Sequence, residues 1–327
     1  MSGAEILPAS AETIARAGKL IRQGALVAFP TETVYGLGAD ATNDKAVAAI
    51  FEAKGRPVFN PLIVHVTGRG QAGEHALFTP EAEALARAFW PGGLTLVLPR
   101  RTDTPLSLLV SAGLDTVALR APAHAVAQAL LRAAGCPIAA PSANASGKIS
   151  PTQAGHVRQS LGQARTLALI IDGGACPLGL ESTVVGFPPG GRPALLRPGA
   201  VAREDIEAVL GEALAPADAA SGEQGRSSPG QLASHYAPEA RLRLNAAAPR
   251  SGEVLLAFGP DVPAGAAAVL NLSPAGDLRE AAANLFAMLR ALDAAAAGGS
   301  IAVMPIPEAG LGEAINDRLR RAAAPRN

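Results

Sequence analysis

The chain has 327 residues with 28 basic and 28 acidic side chains, hence no formal net charge, and it is 49% hydrophobic but only 17% charged. That balance excludes a disordered polyampholyte and a polybasic arm, and at roughly 100–200 residues per domain it fits two domains with buried cores. With 8 Phe, 2 Tyr and 1 Trp there are few rings for a base-stacking surface, and Cys136 and Cys176, the two cysteines, form neither a disulfide framework nor a Cys-x-x-Cys zinc site.

The opening MSGAEILPASAETIARAGKL has acidic and polar residues where a signal peptide needs a basic end and an apolar run. No apolar stretch reaches the ~18 residues of a membrane span. A soluble, cytoplasmic protein is expected, with no membrane partner.

In chain order, Ser10 is placed to cap a helix with Ile14, Ala17 and Ile21 on its apolar face, stopped by Gly24. ALVAF at 25–29 reads as a buried strand. Asn43 opens a second helix carrying Val47, Ile50 and Phe51, which runs out at Gly55, and PLIVHV at 61–66 is the next strand. Thr79-Pro80 predicts a cap with proline at the first helical position, the helix lasting to Trp90. LTLVL (94–98), TVAL (116–119), LALII (167–171) and STVVGF (182–187) are further strands. Strands with interspersed helices, outside a strict βαβ rhythm, predict an α/β domain with a mixed, twisted sheet.

After Leu210 the composition turns small, polar and aperiodic over 211–231, which reads as a linker. Beyond it, RLRLN and EVLLAF are strand-like. Leu278, Ala282, Leu285, Leu289 and Leu292 make one helical stripe, SIAVMPI is a strand, and a closing helix follows: a small β-α-β-α domain.

Chemistry is expected where polar residues interrupt buried strands. FPTETVYGLGADA (29–41) puts Thr31, Glu32, Thr33 and Tyr35 just after a strand, where α/β sheets bind ligands, although a capped turn has the same look. Lys54 and Arg56 close a helix, which favours cations in any case. His65 interrupts an apolar strand, as a core histidine or a catalyst would. PIAAPSANASGKISPT (137–152) gathers Ser142, Asn144, Ser146, Lys148, Ser150 and Thr152 in a small-residue loop that could cradle a polyphosphate, without Walker A spacing. Asp172 with paired glycines and Glu181-Ser182-Thr183 mark two more strand ends. Arg197 and Arg120 each follow apolar residues, and each implies either an anionic ligand or an internal carboxylate. There is no His-Glu-x-x-His, nucleophile elbow or Gly-x-Gly-x-x-Gly after a strand. Several cations, many hydroxyls and few bases suit the positioning of phosphates more than acid–base chemistry.

From about Gly24 to Val201, and in SPGQLASHYAP at 228–238, these segments together resemble the YrdC-like family in its longer, two-domain form. The family's Lys-x-Arg and Ser-x-Asn pairs stand here as Lys54/Arg56 and Ser142/Asn144. The resemblance implies a twisted mixed sheet around a large concave cavity, plus a small Rossmann-like C-terminal domain. Residues 1–210 would be the catalytic domain, 211–238 a linker and active-site lid, and 239–327 the second domain. The implied activity joins L-threonine, bicarbonate (or CO2) and ATP into threonylcarbamoyl-AMP and pyrophosphate. The product would go to a transferase complex that modifies the adenosine beside the tRNA anticodon.

By the same resemblance Lys54 and Arg56 are catalytic, and Thr31, His65, Arg120, Ala140 and Ser182 surround threonine. Lys54, Val58, Thr116, Ser142, Asn144, Ser150, Arg197 and Tyr236 would hold ATP, with Mg2+ arriving on its phosphates and no metal site or organic cofactor of the protein's own. Two other readings compete: a module that grips tRNA or double-stranded RNA through Lys54, Arg56, Arg120, Lys148 and Arg197, and a carbamoyl-adenylate transferase with another acceptor. Zero net charge and scarce rings weigh against the RNA module, leaving at most weak RNA binding.

Overall fold

The computed structural model describes residues 4–188, 190–216 and 235–325. A short strand, β1 (Glu5–Pro8), leads to α1 (Ala11–Arg22), capped where the Ser10 hydroxyl accepts from the Thr13 N–H at 3.1 Å. β2 (Leu26–Phe29) is fully buried, and β3 (Gly36–Asp40) returns antiparallel to it. The sequence pattern predicts no strand over 36–40, because a segment with two glycines lacks a β-rich pattern. Packing explains the choice: a Cβ at Gly38 would sit 2.8 Å from the Phe29 ring and 2.9 Å from Ile138.

α2 (Asp44–Lys54), capped by Asn43, ends on the buried Lys54. β4 (Ile63–His65), α3 (Arg69–Gly73), α4 (Pro80–Phe89), β5 (Leu94–Pro99) and β6 (Thr116–Arg120) follow. Next come α5 (Ala125–Ala134), β7 (Ile138–Ala139), α6 (Ala154–Leu161), β8 (Leu167–Asp172), β9 (Thr183–Gly186), β10 (Ala194–Arg197) and α7 (Arg203–Leu210). The ten strands form one mixed sheet in the order β1-β8-β2-β3-β7-β4-β6-β5-β9-β10.

Both faces of this sheet are apolar, as strand alternation demands. One carries the main core, in which Leu26, Ala28, Val64, Leu96 and Leu119 meet Ile50, Phe51 and Leu85 of the helices. On the other face, Val27, Phe29, Leu169 and Ile171 pack beneath α1 and α5. Farther along that second face, Ile63, Val97, Ala118, Val184 and Leu196 cluster with no helix residue among them. The site lies at that end.

The second unit is a four-stranded sheet, β11 (Arg241–Arg243), β12 (Val254–Ala257), β13 (Val269–Asn271) and β14 (Ser300–Val303), ordered β11-β14-β12-β13 with every pairing parallel. α8 (Leu278–Ala296) buries Ala282, Leu285, Leu289 and Leu292 of the predicted stripe, and α9 (Leu311–Ala323) packs beside it. Both helices join the cluster of Val254, Leu256, Ile301 and Val303, so they cover the same face of a Rossmann-like sheet. β13, absent from the predicted β-α-β-α order, has only three residues and no buried one. Val34, Ile149 and Leu180 of the first unit belong to the same apolar cluster as α8 and α9, which makes one continuous seam between the two units.

Candidate active site

Register alone begins the site. β4 and β6 run parallel with His65 opposite Arg120, and alternation puts Ile63, His65, Ala118 and Arg120 on one face. The turn from β2 to β3 carries Thr31 and Thr33 to the same end. Together with Arg56, Ala140, Ser142, Glu181, Ser182, Arg197, His235 and Tyr236 they line one hollow.

At one end Arg120, 3% exposed, spreads its guanidinium over three acceptors. Nε donates to the Gly92 carbonyl at 3.1 Å, Nη1 to Thr33 Oγ1 at 2.8 Å and Nη2 to Glu32 Oε1 at 2.6 Å. Three of its five N–H groups are thereby engaged, and one on each terminal nitrogen is left for a bound anion. Of the two alternatives for this arginine the structure shows the internal carboxylate, Glu32, and it also places Arg120 on the hollow's lining. Burial would raise the Glu32 pKa, but the charge and hydrogen bond of Arg120 bring it below the ordinary value. Thr31 Oγ1 donates to the Val34 carbonyl at 2.7 Å, which leaves Thr33 to donate to Thr31 across 2.8 Å. The His65 ring meets Phe29 edge-on, and its buried Nδ1 has no partner among the described residues. Burial, then the positive charge of Arg120, pushes the His65 pKa down to about 3, so the ring is neutral at physiological pH.

The long wall is the loop after β7. Lys54, at the end of α2 and 4% exposed, donates from Nζ to the carbonyls of Ser142, at 2.5 Å, and Asn144. Asn144 in turn bridges the loop, its Nδ2 donating to Ala145 and Lys148 carbonyls at 2.9 and 2.7 Å. Burial and the neighbouring Arg56 hold the Lys54 pKa well below the lysine range. Arg56 donates to the Asn60 carbonyl at 3.3 Å and the Pro61 carbonyl at 3.0 Å. Burial and Arg197 lower its pKa to about 10, which leaves it charged near neutrality.

At the far wall Ser182 organises Arg197. Its carbonyl accepts from Arg197 Nη2 at 2.8 Å and its hydroxyl from the same nitrogen at 3.2 Å, while Thr95 Oγ1 holds that hydroxyl at 2.7 Å. Glu181 next door accepts from Ser150 Oγ at 2.5 Å and from Arg318 Nε of α9 at 2.9 Å. Tyr236, 1% exposed, has a φ of 61° and stacks on Phe286 of α8 with ring centroids 5.5 Å apart. Its backbone neighbour Ala237 donates to the Gly147 carbonyl at 2.8 Å, which ties this segment to the long wall. Beside it His235 is buried, its pKa held well below 6.5 by burial and then by Arg56, Lys54 and Arg197.

Of the residues singled out from sequence, Thr31, Arg56, His65, Arg120, Ala140, Ser142, Ser182, Arg197 and Tyr236 line the hollow together. Lys54, Asn144 and Ser150 lie behind its wall, held in hydrogen bonds to backbone or to Glu181. Val58 is 62% exposed and outside it. Thr116 begins β6, on the Arg120 face but about 13 Å away, four residues at roughly 3.3 Å each. Residues 228–234 of the sequence run that ends in Tyr236 lie outside the described residues. Sequence reading missed Thr95, His235 and Arg318. A threonine in a strand and an arginine on a closing helix carry no local signal, and His235 stood unremarked in the SHYAP run. Among the described residues no group of three or more His, Cys, Asp or Glu gathers to hold a metal.

Known proteins share this chain's sequence and fold over nearly its full length. The family model Sua5/YciO/YrdC, described as "Telomere recombination", matches residues 19–199, and the model "Threonylcarbamoyl-AMP synthase, C-terminal domain" matches 201–324. A threonylcarbamoyl-AMP synthase of Bacillus subtilis is 43% identical over 96% of this chain and 93% of its own. One from Pyrococcus abyssi is 43% identical over 94% and 93%. The crystal structure of P. abyssi Sua5 complexed with L-threonine superposes with a TM-score of 0.85 at 40% identity, covering 99% of this chain and 97% of that one.

Proposed function

The chain belongs to the threonylcarbamoyl-AMP synthase family in its two-domain form, and we propose that the hollow described above is where its substrates meet. The enzyme joins L-threonine, bicarbonate or CO2, and ATP into threonylcarbamoyl-AMP and pyrophosphate, a nucleotidyl transfer. The observation that carries the site assignment is the convergence of Arg56, Arg120 and Arg197 on one hollow rimmed with hydroxyls.

The chemistry needs such a place. Threonine's amine adds to CO2 and loses a proton to give a carbamate. A carbamate oxygen then attacks the α-phosphorus of ATP, and the bond to the β-phosphate oxygen breaks as pyrophosphate leaves. Both reactants are anions. In an enclosed site, cations that neutralise them are worth far more than in water. Arg120, with its two remaining N–H groups, suits threonine's carboxylate, with Thr31, His65, Ala140 and Ser182 around the amine and side chain. The Ser142 loop, Arg56 and Arg197 suit the phosphates. Lys54 serves as the loop's anchor, behind the wall, with Asn144 and Ser150, while Thr116 and Val58 lie outward along the path of the nucleotide. Mg2+ would travel on the triphosphate; Glu181, the carboxylate among the residues lining the hollow, is held by Ser150 and Arg318.

Residues 1–210 would then be the catalytic domain, 211–238 the segment that closes over it through Tyr236, and 239–327 the supporting domain. A closed site shields the mixed anhydride from water. The tRNA role follows from the family; hand-over of the adenylate to a transferase complex in the cytoplasm completes the reading.

The direct test is pyrophosphate release from ATP by the purified chain. Release should require threonine and bicarbonate together; release that ignores threonine would refute the assignment.

A further inference from the structure

We propose that Arg318, carried by the second domain, is a positioning residue of this reaction: it neutralises Glu181 on the wall of the hollow, so that the carboxylate does not repel the triphosphate. The inference rests on the reading of the hollow as the ATP and threonine site.

Arg318 is 1% exposed, on a helix whose Arg320 is exposed and whose Glu313 pairs with Arg203 of the first unit. Nε donates to Glu181 Oε2 at 2.9 Å, and Nη1 to the Pro198 carbonyl at 2.7 Å and Asp317 Oδ2 at 2.8 Å. Its Nη2 is buried and meets no acceptor among the described residues, so Glu181 and Asp317 carry the compensation. The guanidinium carbon stands 5.4 Å from the Tyr236 ring centroid. The Glu181 carboxylate has one other described side-chain bond, from Ser150, and it is the carboxylate among the residues lining the hollow. Its chain neighbour Ser182 supplies the oxygens that hold Arg197.

Two consequences follow from these contacts. With Arg318 in place the wall presents Arg56 and Arg197 against a neutralised carboxylate. Without it, the same wall presents an uncompensated negative charge in a low-dielectric enclosure, next to where the phosphates must lie. Because Arg318 reaches Glu181 across the seam between the two units, docking of the second domain and binding of ATP favour one another.

The test uses the full chain and pyrophosphate release, with KM measured separately for ATP and threonine. Arg318→Met should raise KM for ATP about tenfold or more, the effect of ~1.4 kcal/mol of repulsion, and shift KM for threonine less than about threefold. Adding Glu181→Gln to Arg318→Met should return KM for ATP to within about threefold of wild type, which a merely structural arginine would not allow. A single variant whose KM for ATP stays within about twofold of wild type, or a double variant no better than the single, overturns the proposal. Should Arg318→Met fail to fold, Arg318→Lys carries the test: it keeps the charge but loses the fork, so KM for ATP should stay within about threefold of wild type, a tenfold rise being contrary. A wild-type chain that releases no pyrophosphate with threonine sinks the reading of the hollow; an active wild type with an insensitive Arg318 sinks only this inference.

Discussion

Lys54 and Arg56 sit two residues apart, yet they act on different things. Arg56 lines the hollow, whereas Lys54 grips the carbonyls of Ser142 and Asn144 from behind it. Arg56→Ala should therefore lower kcat by roughly 10²-fold through lost charge stabilisation, with the urea midpoint nearly kept. Lys54→Ala should lower turnover too, but with a loosened loop that hydrogen exchange at residues 142–148 would register; unchanged exchange would place Lys54 in direct contact with substrate instead. Histidine burial sets a pH dependence. The folded pKa of His65 is down to about 3 and that of His156 to about 4, against an unfolded value near 6.5, so unfolding takes up protons between those limits. Stability is then full above about pH 6.5 and falls as the medium is acidified, by up to ~1.4 kcal/mol per pH unit for each ring. Urea midpoints near neutrality and near pH 5 should show the slope, and His65→Asn should flatten it. His65 and Arg120 could be read from sequence because a polar residue breaks an apolar strand. Thr95 against Ser182, or Arg318 against Glu181 across 137 residues, could not, since those pairs exist only once the chain is packed.

Helices announced themselves through caps and stripes: Ser10, Asn43 and Thr79 each accept from a backbone N–H in the first turn of the helix they were expected to open. Strands with long apolar runs were equally plain, but β3, with its two glycines, and β10, which follows a Pro-Gly-Gly stretch, have no strand-like signal of their own and are held by their neighbours. The same kind of close approach fixes how α8 meets the first unit. Gly179 has a φ of +65°, and a Cβ there would stand 2.4 Å from the Ala282 carbonyl oxygen and 2.6 Å from Ala283 Cα, both backbone atoms of α8. Neither can yield without shifting the helix. Gly179→Ala should thus cost about 1–3 kcal/mol, from the strained φ and the overpacking together. A urea titration reads the loss directly. A wild-type midpoint in Gly179→Ala would mean that α8 does not rest on this loop in solution.

The two units share more than a boundary. Val34, Ile149 and Leu180 bury themselves with Leu285, Phe286 and Tyr236, and polar bonds frame that seam: Arg203 to Glu313 at 2.5 Å, Arg290 to the Ile149 carbonyl at 2.8 Å, Arg318 to Glu181 at 2.9 Å. Val34 and Glu181 also line the hollow, so the seam is part of the site wall. Ending the chain after Pro216, which keeps Leu214 and Ala215 packed on the first sheet, would uncover three apolar side chains, each worth about 1.5–3 kcal/mol of burial when fully covered. It would also leave Glu181 without its arginine and remove Tyr236. The ten-stranded sheet keeps its own helices and its own core on both faces, so the shortened chain should still fold, with a lower urea midpoint. Its threonine-dependent pyrophosphate release should fall at least about tenfold, through a hollow left open to water and carrying an unpaired carboxylate. Full turnover in the shortened chain would show that the wall built by Tyr236 and Glu181 does not need the second domain behind it.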